Sequence, residues 1–338
     1  MEQIARTTGP APMIDGHGRR VNYLRISVTD RCDLRCRYCM SEQMRFLPRD
    51  KLLSLEEIAV IADRFVARGT TKIRLSGGEP LVRRDVIDLT RRIGRHLGHG
   101  LDELTMTTNG TRLAEHAGAL ANAGIRRVNV SLDSRDPDRF RFITRHGDLD
   151  RVLGGIAAAK AAGLAVKINM VALKGMNDDE IGDMLDWCVA EGHDLSLIET
   201  MPLGAVEEDR AMRFLPLTDV LSDLQQRFVL VADGHRSGGP ARYRRVAGSA
   251  TRLGLISPLT ANFCDGCNRV RLTTEGLLYM CLGHEDHVDL KAAYREGGMA
   301  ALDAAIDVAL GGKPARHDFS VASGAAPAVR RHMSVTGG

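Results

Sequence analysis

Arg25-Ile26-Ser27-Val28-Thr29-Asp30-Arg31-Cys32-Asp33-Leu34-Arg35-Cys36-Arg37-Tyr38-Cys39-Met40 sets three cysteines at C-x3-C-x2-C spacing directly after a strand-like apolar run. Three thiolates on one short loop suit three irons of a [4Fe–4S] cluster, because soft thiolates select such clusters. The fourth iron is then open to a substrate or cofactor. The competing reading is a structural zinc site, which takes four ligands, and no histidine follows nearby. Disulfides fit poorly, since three is an odd number and the chain reads as intracellular. The spacing and its flanking residues together favour the cluster.

The 338 residues suffice for a large core and read as one large domain plus an appendage. Hydrophobic residues at 44% and charged ones at 26% describe an ordinary folded chain and exclude general disorder. A net charge of +3 with aromatics at only 4% disfavours a nucleic-acid binder. Arginines nevertheless crowd the first cysteine region, at Arg19, Arg20, Arg25, Arg31, Arg35, Arg37 and Arg45. A guanidinium matches phosphate or carboxylate with two parallel hydrogen bonds, so these point to an anionic small molecule or, taken singly, to a solvated basic face. Residues 1–20 carry no apolar signal core, and no run is long enough to span a bilayer. The expectation is a cytoplasmic protein with no membrane or nucleic-acid partner, its seven cysteines reduced or metal-bound. Six of them fall into two tight groups, and Cys188, beside Trp187 on an expected helix, reads as buried and apolar.

Outward from the cysteine loop, strand and helix alternate. Strands are expected at 21–28, 72–75, 103–107, 126–132, 165–171 and 194–200, with helices near 54–68, 83–97, 112–123, 136–145, 148–162 and 178–191. Ser54-Leu55-Glu56-Glu57 has the pattern of a capping box. Such alternation means right-handed βαβ units and a parallel sheet. Six units are too few to close an eightfold barrel, so the expected fold class is α/β, an incomplete (β/α)6 TIM-type barrel over 21–235. Residues 1–20 read as a flexible N-terminal arm. Beyond the hinge-like Asp233–Pro240, β-like pieces at 242–247, 252–257 and 269–273 and helices near 290–297 and 300–309 read as a smaller C-terminal α+β domain over 236–338.

Parallel βα folds carry their chemistry at the carboxyl ends of the strands. Here those ends are the cysteine loop, Ser76-Gly77-Gly78-Glu79-Pro80, Thr107-Thr108-Asn109-Gly110, Ser131-Leu132-Asp133-Ser134, Lys167-Ile168-Asn169 and Glu199-Thr200-Met201-Pro202. Six such tips in the same relative place argue for one shared site. A second cysteine group, Cys264-Asp265-Gly266-Cys267 with Cys281, has C-x2-C-x13-C spacing, and Asn268-Arg269-Val270-Arg271 follows the pair. A zinc ribbon with His284 or His287 as fourth ligand remains open for this group. So does a second [4Fe–4S] cluster with an open iron, flanked by the charges of Arg269 and Arg271.

The first loop, with Tyr38 just before its third cysteine, resembles the radical S-adenosylmethionine (SAM) superfamily. That resemblance implies the incomplete barrel, SAM chelated at the open iron, and one-electron cleavage of SAM to a 5′-deoxyadenosyl radical. Both cysteine groups, Asn268-Arg269-Val270-Arg271-Leu272, Gly175-Met176-Asn177-Asp178-Asp179 and the terminal Gly337-Gly338 together resemble the GTP 3′,8-cyclase family of molybdenum cofactor biosynthesis, from about Tyr23 to Gly338. By that resemblance Cys32, Cys36 and Cys39 hold the SAM cluster, and Cys264, Cys267 and Cys281 hold an auxiliary [4Fe–4S] cluster that takes the guanine. Tyr38, Gly78, Ser131 and Met201 would contact SAM. Arg25, Arg74, Thr107, Lys167, Arg269 and Arg271 would contact GTP, with Lys72 and Asn169 beside them and the Gly337-Gly338 tail reaching into the site.

The implied reaction is abstraction of the 3′ hydrogen of GTP and bonding of C3′ to guanine C8, giving (8S)-3′,8-cyclo-7,8-dihydroguanosine 5′-triphosphate. The implied partners are a flavodoxin- or ferredoxin-like one-electron donor and a downstream cyclic pyranopterin monophosphate synthase, with the enzyme a monomer or homodimer. Ser196 stands where many relatives carry arginine, and Asp33 and Ser41 replace a usual asparagine and proline and read as tolerated loop changes. The alternatives are another radical SAM enzyme with an auxiliary cluster, and a zinc-stabilised binding module without catalysis.

Overall fold

The computed structural model describes residues 12–337. A single sheet of twelve strands runs through it. They are β1 (Tyr23–Ser27), β2 (Lys72–Ser76), β3 (Glu103–Thr108), β4 (Arg127–Ser131), β5 (Ala165–Ala172), β6 (Asp194–Glu199), β7 (Leu230–Asp233), β8 (Arg242–Val246), β9 (Arg252–Ile256), β10 (Arg269–Leu272), β11 (Leu277–Tyr279) and β12 (His287–Asp289). Their order is β12-β11-β10-β1-β2-β3-β4-β5-β6-β9-β8-β7. The stretch from β10 through β1–β6 to β9 is parallel, and the outer strands on each side are antiparallel. The expected six βα strands are all present as an open, partial barrel. The later strands, expected as a separate small unit, add to the same sheet at both of its edges, where unpaired backbone groups would otherwise stand.

Helices α1 (Leu55–Ala67), α2 (Val86–Gly94), α3 (Leu113–Asn122), α4 (Pro137–Thr144), α5 (Leu149–Ala161) and α6 (Ile181–Glu191) connect the first six strands. The capping box forms as expected: Glu57 N–H donates to Ser54 Oγ at 3.1 Å and Ser54 N–H to Glu57 Oε2 at 2.8 Å. After α7 (Arg210–Arg213) and α8 (Leu217–Arg227), α9 (Leu290–Gly311) merges the two expected helices across a break at Gly298. α9 docks on α1 through the Arg64–Asp303 and Arg68–Asp307 ion pairs and through Arg295–Glu57 at 2.6 Å.

Alternate residues of a strand face opposite sides of a sheet. Leu24, Ile26, Ile73, Leu75, Val128 and Val130 form one parity and are fully buried with Ile61, Phe65, Leu89, Leu120 and Val152 of the helices. The other parity reads Tyr23-Arg25-Ser27 on β1, Lys72-Arg74-Ser76 on β2 and Arg127-Asn129-Ser131 on β4. β1 and β2 are buried at every position, so their charged parity is buried too, on the inner face of the barrel.

The flexible arm expected over 1–20 needs correction. Residues 1–11 lie outside the described residues, but 12–20 form an anchored turn with Met13 and Asp15 buried. Met13 is 2% exposed and Ile14 bridges to Arg20. Arg19 donates to the carbonyls of Cys264, Ala315 and Pro314 at 2.9, 2.7 and 2.6 Å. The polar, glycine-containing composition conceals a tight turn that anchors the strand entry. At the other end, α10 (Met333–Thr336) is a single helical turn with Ser334 and Thr336 buried.

Candidate active site

The cysteine loop after β1 is held from three sides. Arg35 and Arg37 N–H donate to Thr144 and Ile143 carbonyls at 3.0 Å, and Cys39 N–H closes a turn on Cys36 O at 2.9 Å. Asn109 Nδ2 and Thr111 Oγ1 each donate to the Asp33 carboxylate at 2.6 Å. Asp33 Oδ1 also accepts from the Cys32 thiol at 3.9 Å, so this replaced position touches the first cysteine. Gly77 and Gly78 let β2's end pass beside the loop, since a Cβ would stand 2.2 Å from Thr29 O and 2.4 Å from Arg31 O.

A cavity is lined by Cys32, Cys36 and Cys39 together with Tyr38, Gly78, Ser131, Met201 and Thr107. All four residues expected to contact SAM thus share the cavity of the first cysteines. Thr107, expected on GTP, lines this cavity and accepts from Arg74 Nη1 at 3.5 Å. Sequence reasoning quoted the strand tips holding Glu79 and Asp133 but gave neither a role. Glu79 accepts from Leu81 N–H, Asn109 N–H and Thr108 Oγ1 at 2.9, 2.5 and 2.8 Å, and Asp133 accepts from Tyr38 OH at 2.7 Å. Burial pushes Glu79 up to about 7, against these hydrogen bonds, and Asp133 up to about 6. Burial and the Glu79 carboxylate raise the Cys32 thiol, and burial and Asp133 raise Cys39 to about 11.

A second cavity adjoins the first, and Asn169, Ile198, Met201 and Met333 line both. Cys264, Cys267 and Cys281 line it, as do Arg25, Arg74, Lys167, Arg269 and Arg271. Strand register explains the convergence. Arg271 pairs across to Arg25, and Arg25 to Arg74, so three guanidiniums stand side by side on adjacent parallel strands. Like charges in direct register repel. The Nε atoms of Arg25, Arg74, Arg269 and Arg271 are buried without a hydrogen-bond partner. Burial and neighbouring cations pull Arg271 down to about 9 and Lys167 to about 7. Buried charge without a counter-ion is costly, so the face is built for an anion.

Lys72 stands outside both linings, with its ammonium paired to Glu103 and the Ser237 carbonyl. Ser196 is fully buried with its hydroxyl unpartnered, in register with Asn169. Gly337 is buried at φ 71°, and a Cβ there would stand 2.0 Å from Ser76 Oγ; Gly338 lies outside the described residues.

The donor sets fit iron–sulfur clusters. Each presents three free cysteine sulfurs to one cavity. Among the described residues no three His, Cys, Asp or Glu side chains converge closely enough for a single metal ion. Thiolates that each serve a different iron need no such convergence. His284 and His287, the candidate zinc ligands, turn to the backbone carbonyls of Arg316 and Glu285 at 3.0 and 2.7 Å. His317, which the sequence did not single out, lines the second cavity with Nε2 unpartnered.

Comparison with known proteins agrees. Residues 26–188 match the Radical SAM superfamily and residues 193–319 match Molybdenum Cofactor Synthesis C. A GTP 3′,8-cyclase of Erythrobacter litoralis is 58% identical over 96% of this chain and 98% of its own. One of Rhizobium etli is 55% identical over 98% and 96%. The crystal structure of Streptococcus suis SuiB bound to S-adenosylmethionine superposes with a TM-score of 0.60 at 16% identity, over 85% of this chain and 66% of that one. Fold and cysteine loop define a radical SAM enzyme, with a [4Fe–4S] cluster and SAM as its cofactors. Within that class, the chain belongs to the GTP 3′,8-cyclase family.

Proposed function

We propose that this chain is a GTP 3′,8-cyclase that converts GTP to (8S)-3′,8-cyclo-7,8-dihydroguanosine 5′-triphosphate in molybdenum cofactor biosynthesis. The carrying observation is the row Arg271–Arg25–Arg74, buried, unpaired with any carboxylate among the described residues, and facing a cavity that opens onto the first cysteine loop. When bound, a reduced [4Fe–4S] cluster at Cys32, Cys36 and Cys39 supplies one-electron cleavage of SAM to the radical that takes the 3′ hydrogen of GTP.

The chain's own part is to bind, orient and enclose. Tyr38, Gly78, Ser131 and Met201 would form the SAM wall, with Asp133 fixing Tyr38. Arg25, Arg74, Arg269, Arg271 and Lys167 would hold the triphosphate, with Asn169 at the junction of the two cavities. Phe263 and Phe319 give the second cavity an apolar wall suited to a purine. Thr107 would act from the first cavity, while Lys72 would act through its neighbours. Cys264, Cys267 and Cys281 would carry a second [4Fe–4S] cluster that takes the guanine. Gly337 and Gly338 would close the site and exclude water from the reactive sugar.

We further assign the electron to a flavodoxin- or ferredoxin-like donor, the product to a downstream cyclic pyranopterin monophosphate synthase, and the enzyme, as monomer or homodimer, to the cytoplasm. There its seven free cysteines remain reduced, and six of them stand ready for ligation. No helix among the described residues is long and apolar enough to cross a membrane.

Anaerobic reconstitution tests this reading. Iron and sulfide are counted, GTP, SAM and dithionite are added, and 5′-deoxyadenosine and the GTP-derived product are followed by mass spectrometry. About eight irons per chain, the content of two [4Fe–4S] clusters, with GTP-dependent formation of both products is expected. SAM cleavage indifferent to GTP would move the substrate elsewhere, and zinc in place of iron would overturn the reading.

A further inference from the structure

Lys313 follows α9 and sits between the two segments that carry the second cysteine group. It is 2% exposed. Its ammonium donates to Met280 O at 2.7 Å, Arg269 O at 3.0 Å and Cys267 Sγ at 3.5 Å. An ammonium has three protons, and these acceptors use them all. The two carbonyls belong to the residue just before Cys281 and to one two positions after Cys267. Lys313 therefore ties the ends of β10 and β11 together beside the sulfurs.

A staple between two carbonyls would need no charge, and burying an ammonium without a counter-charge is costly. Its three acceptors are two neutral carbonyls and the Cys267 sulfur, so the sulfur is the one that can carry negative charge. Lysine is thus matched to an object that carries negative charge at Cys267.

We propose that Lys313 is a positioning residue for the second cluster, holding the Cys267 thiolate for ligation and favouring the cluster's reduced state through its charge and its N–H···S bond. This rests on the reading of Cys264, Cys267 and Cys281 as cluster ligands. Reduction adds negative charge that spreads onto the sulfurs. A fixed cation and a hydrogen bond at one of them stabilise that state and raise the potential.

The test is an anaerobic redox titration of the fully reconstituted chain, read by electron paramagnetic resonance, for wild type, Lys313→Met and Lys313→Arg. The first cluster's signal serves as internal reference. Lys313→Met is expected to keep about eight irons and to shift the second cluster at least tenfold toward its oxidised state, about 59 mV for a one-electron couple. The first cluster stays unmoved, and Lys313→Arg keeps the wild-type potential. Loss of the second cluster's iron in Lys313→Met but not in Lys313→Arg also supports the role, since only charge and donors differ. An unchanged second potential in an iron-replete Lys313→Met overturns it, and so does equal iron loss in both variants, which would mean packing alone. Wild type holding about four irons, the content of one cluster, would instead sink the second-cluster reading itself.

Discussion

The two cysteine groups each hold three sulfurs, but Cys267 of the second stands in a different electrostatic setting from the three of the first. Cys32, Cys36 and Cys39 lie among the carboxylates of Asp33, Glu79 and Asp133, and burial together with these groups raises their thiols. Cys267 lies among Arg269, Lys313 and Arg271, which outweigh its burial and bring it to about 6. Desolvation acts in the same direction at both loops, so the sign of the neighbours makes the difference. That sign indicates which ligand belongs where. SAM carries a sulfonium and an amino group, which suit a cavity whose lining residues Tyr38, Thr108 and Asn109 are hydrogen-bonded to the carboxylates behind them. A triphosphate suits the arginine-lined one. Two adjoining cavities can thus sort a cationic cofactor from an anionic substrate.

The sharpest way to break this comparison is to remove one loop at a time. Cys36→Ala is expected to abolish 5′-deoxyadenosine formation, leave about four irons per chain and leave GTP binding intact. Loss of GTP binding as well would mean that the cavities are not independent. The next largest effect belongs to the arginine row. Arg271→Met removes a charge-assisted contact of about 1.5–3 kcal/mol, so GTP affinity by calorimetry should fall roughly 10- to 150-fold. The same change relieves like-charge crowding against Arg25, so the GTP-free protein should melt at a higher temperature, by about 1 kcal/mol or more of stability. Weaker binding combined with lower stability would show that the arginine is held by structure rather than by ligand.

How much of this was legible in the sequence depends on whether the signal was local. Alternation, the capping box at Ser54 and Glu57, and the six strand tips are local patterns, and they gave the partial barrel. The alternation of Tyr23-Arg25 with Leu24-Ile26 even marks the inner face. Register is not local. Arg271 meets Arg25 only because β10 pairs with β1, although the two are remote in sequence. For the same reason the strands after residue 240 looked like a separate unit, when in fact they extend the two open edges of the barrel. Lys313 and His317 carry no motif at all, and only packing brings them to the cysteines. Met13 and Arg19 were misread because glycine-rich polar composition looks the same in a mobile arm and in an anchored turn.

The remaining tests refine the comparison rather than break it. Gly337→Ala puts a Cβ at φ 71° against Ser76 Oγ at 2.0 Å. A strained backbone costs about 1–3 kcal/mol, so product formation should fall about tenfold or more while iron content and the first cluster's spectrum stay as in wild type. A variant with full activity would remove the tail from the site.

The smallest effect is a pH dependence in the cationic cavity. Burial, Arg127 and Arg74 lower Lys167 to about 7 in the free enzyme. A bound triphosphate favours the charged ammonium and raises that value, so above pH 7 binding takes up a proton. By linkage, affinity must then fall as pH rises. Between about pH 7.5 and 9, where the triphosphate is fully ionised, the Kd for GTP is expected to rise by up to roughly tenfold per pH unit. Lys167→Met should bind more weakly at pH 7.5 and lose that slope. SAM affinity, set in the other cavity, should not acquire a Lys167-dependent slope over the same range. If it does, the two cavities share one electrostatic field, and the sorting of cofactor from substrate by sign would have to be abandoned.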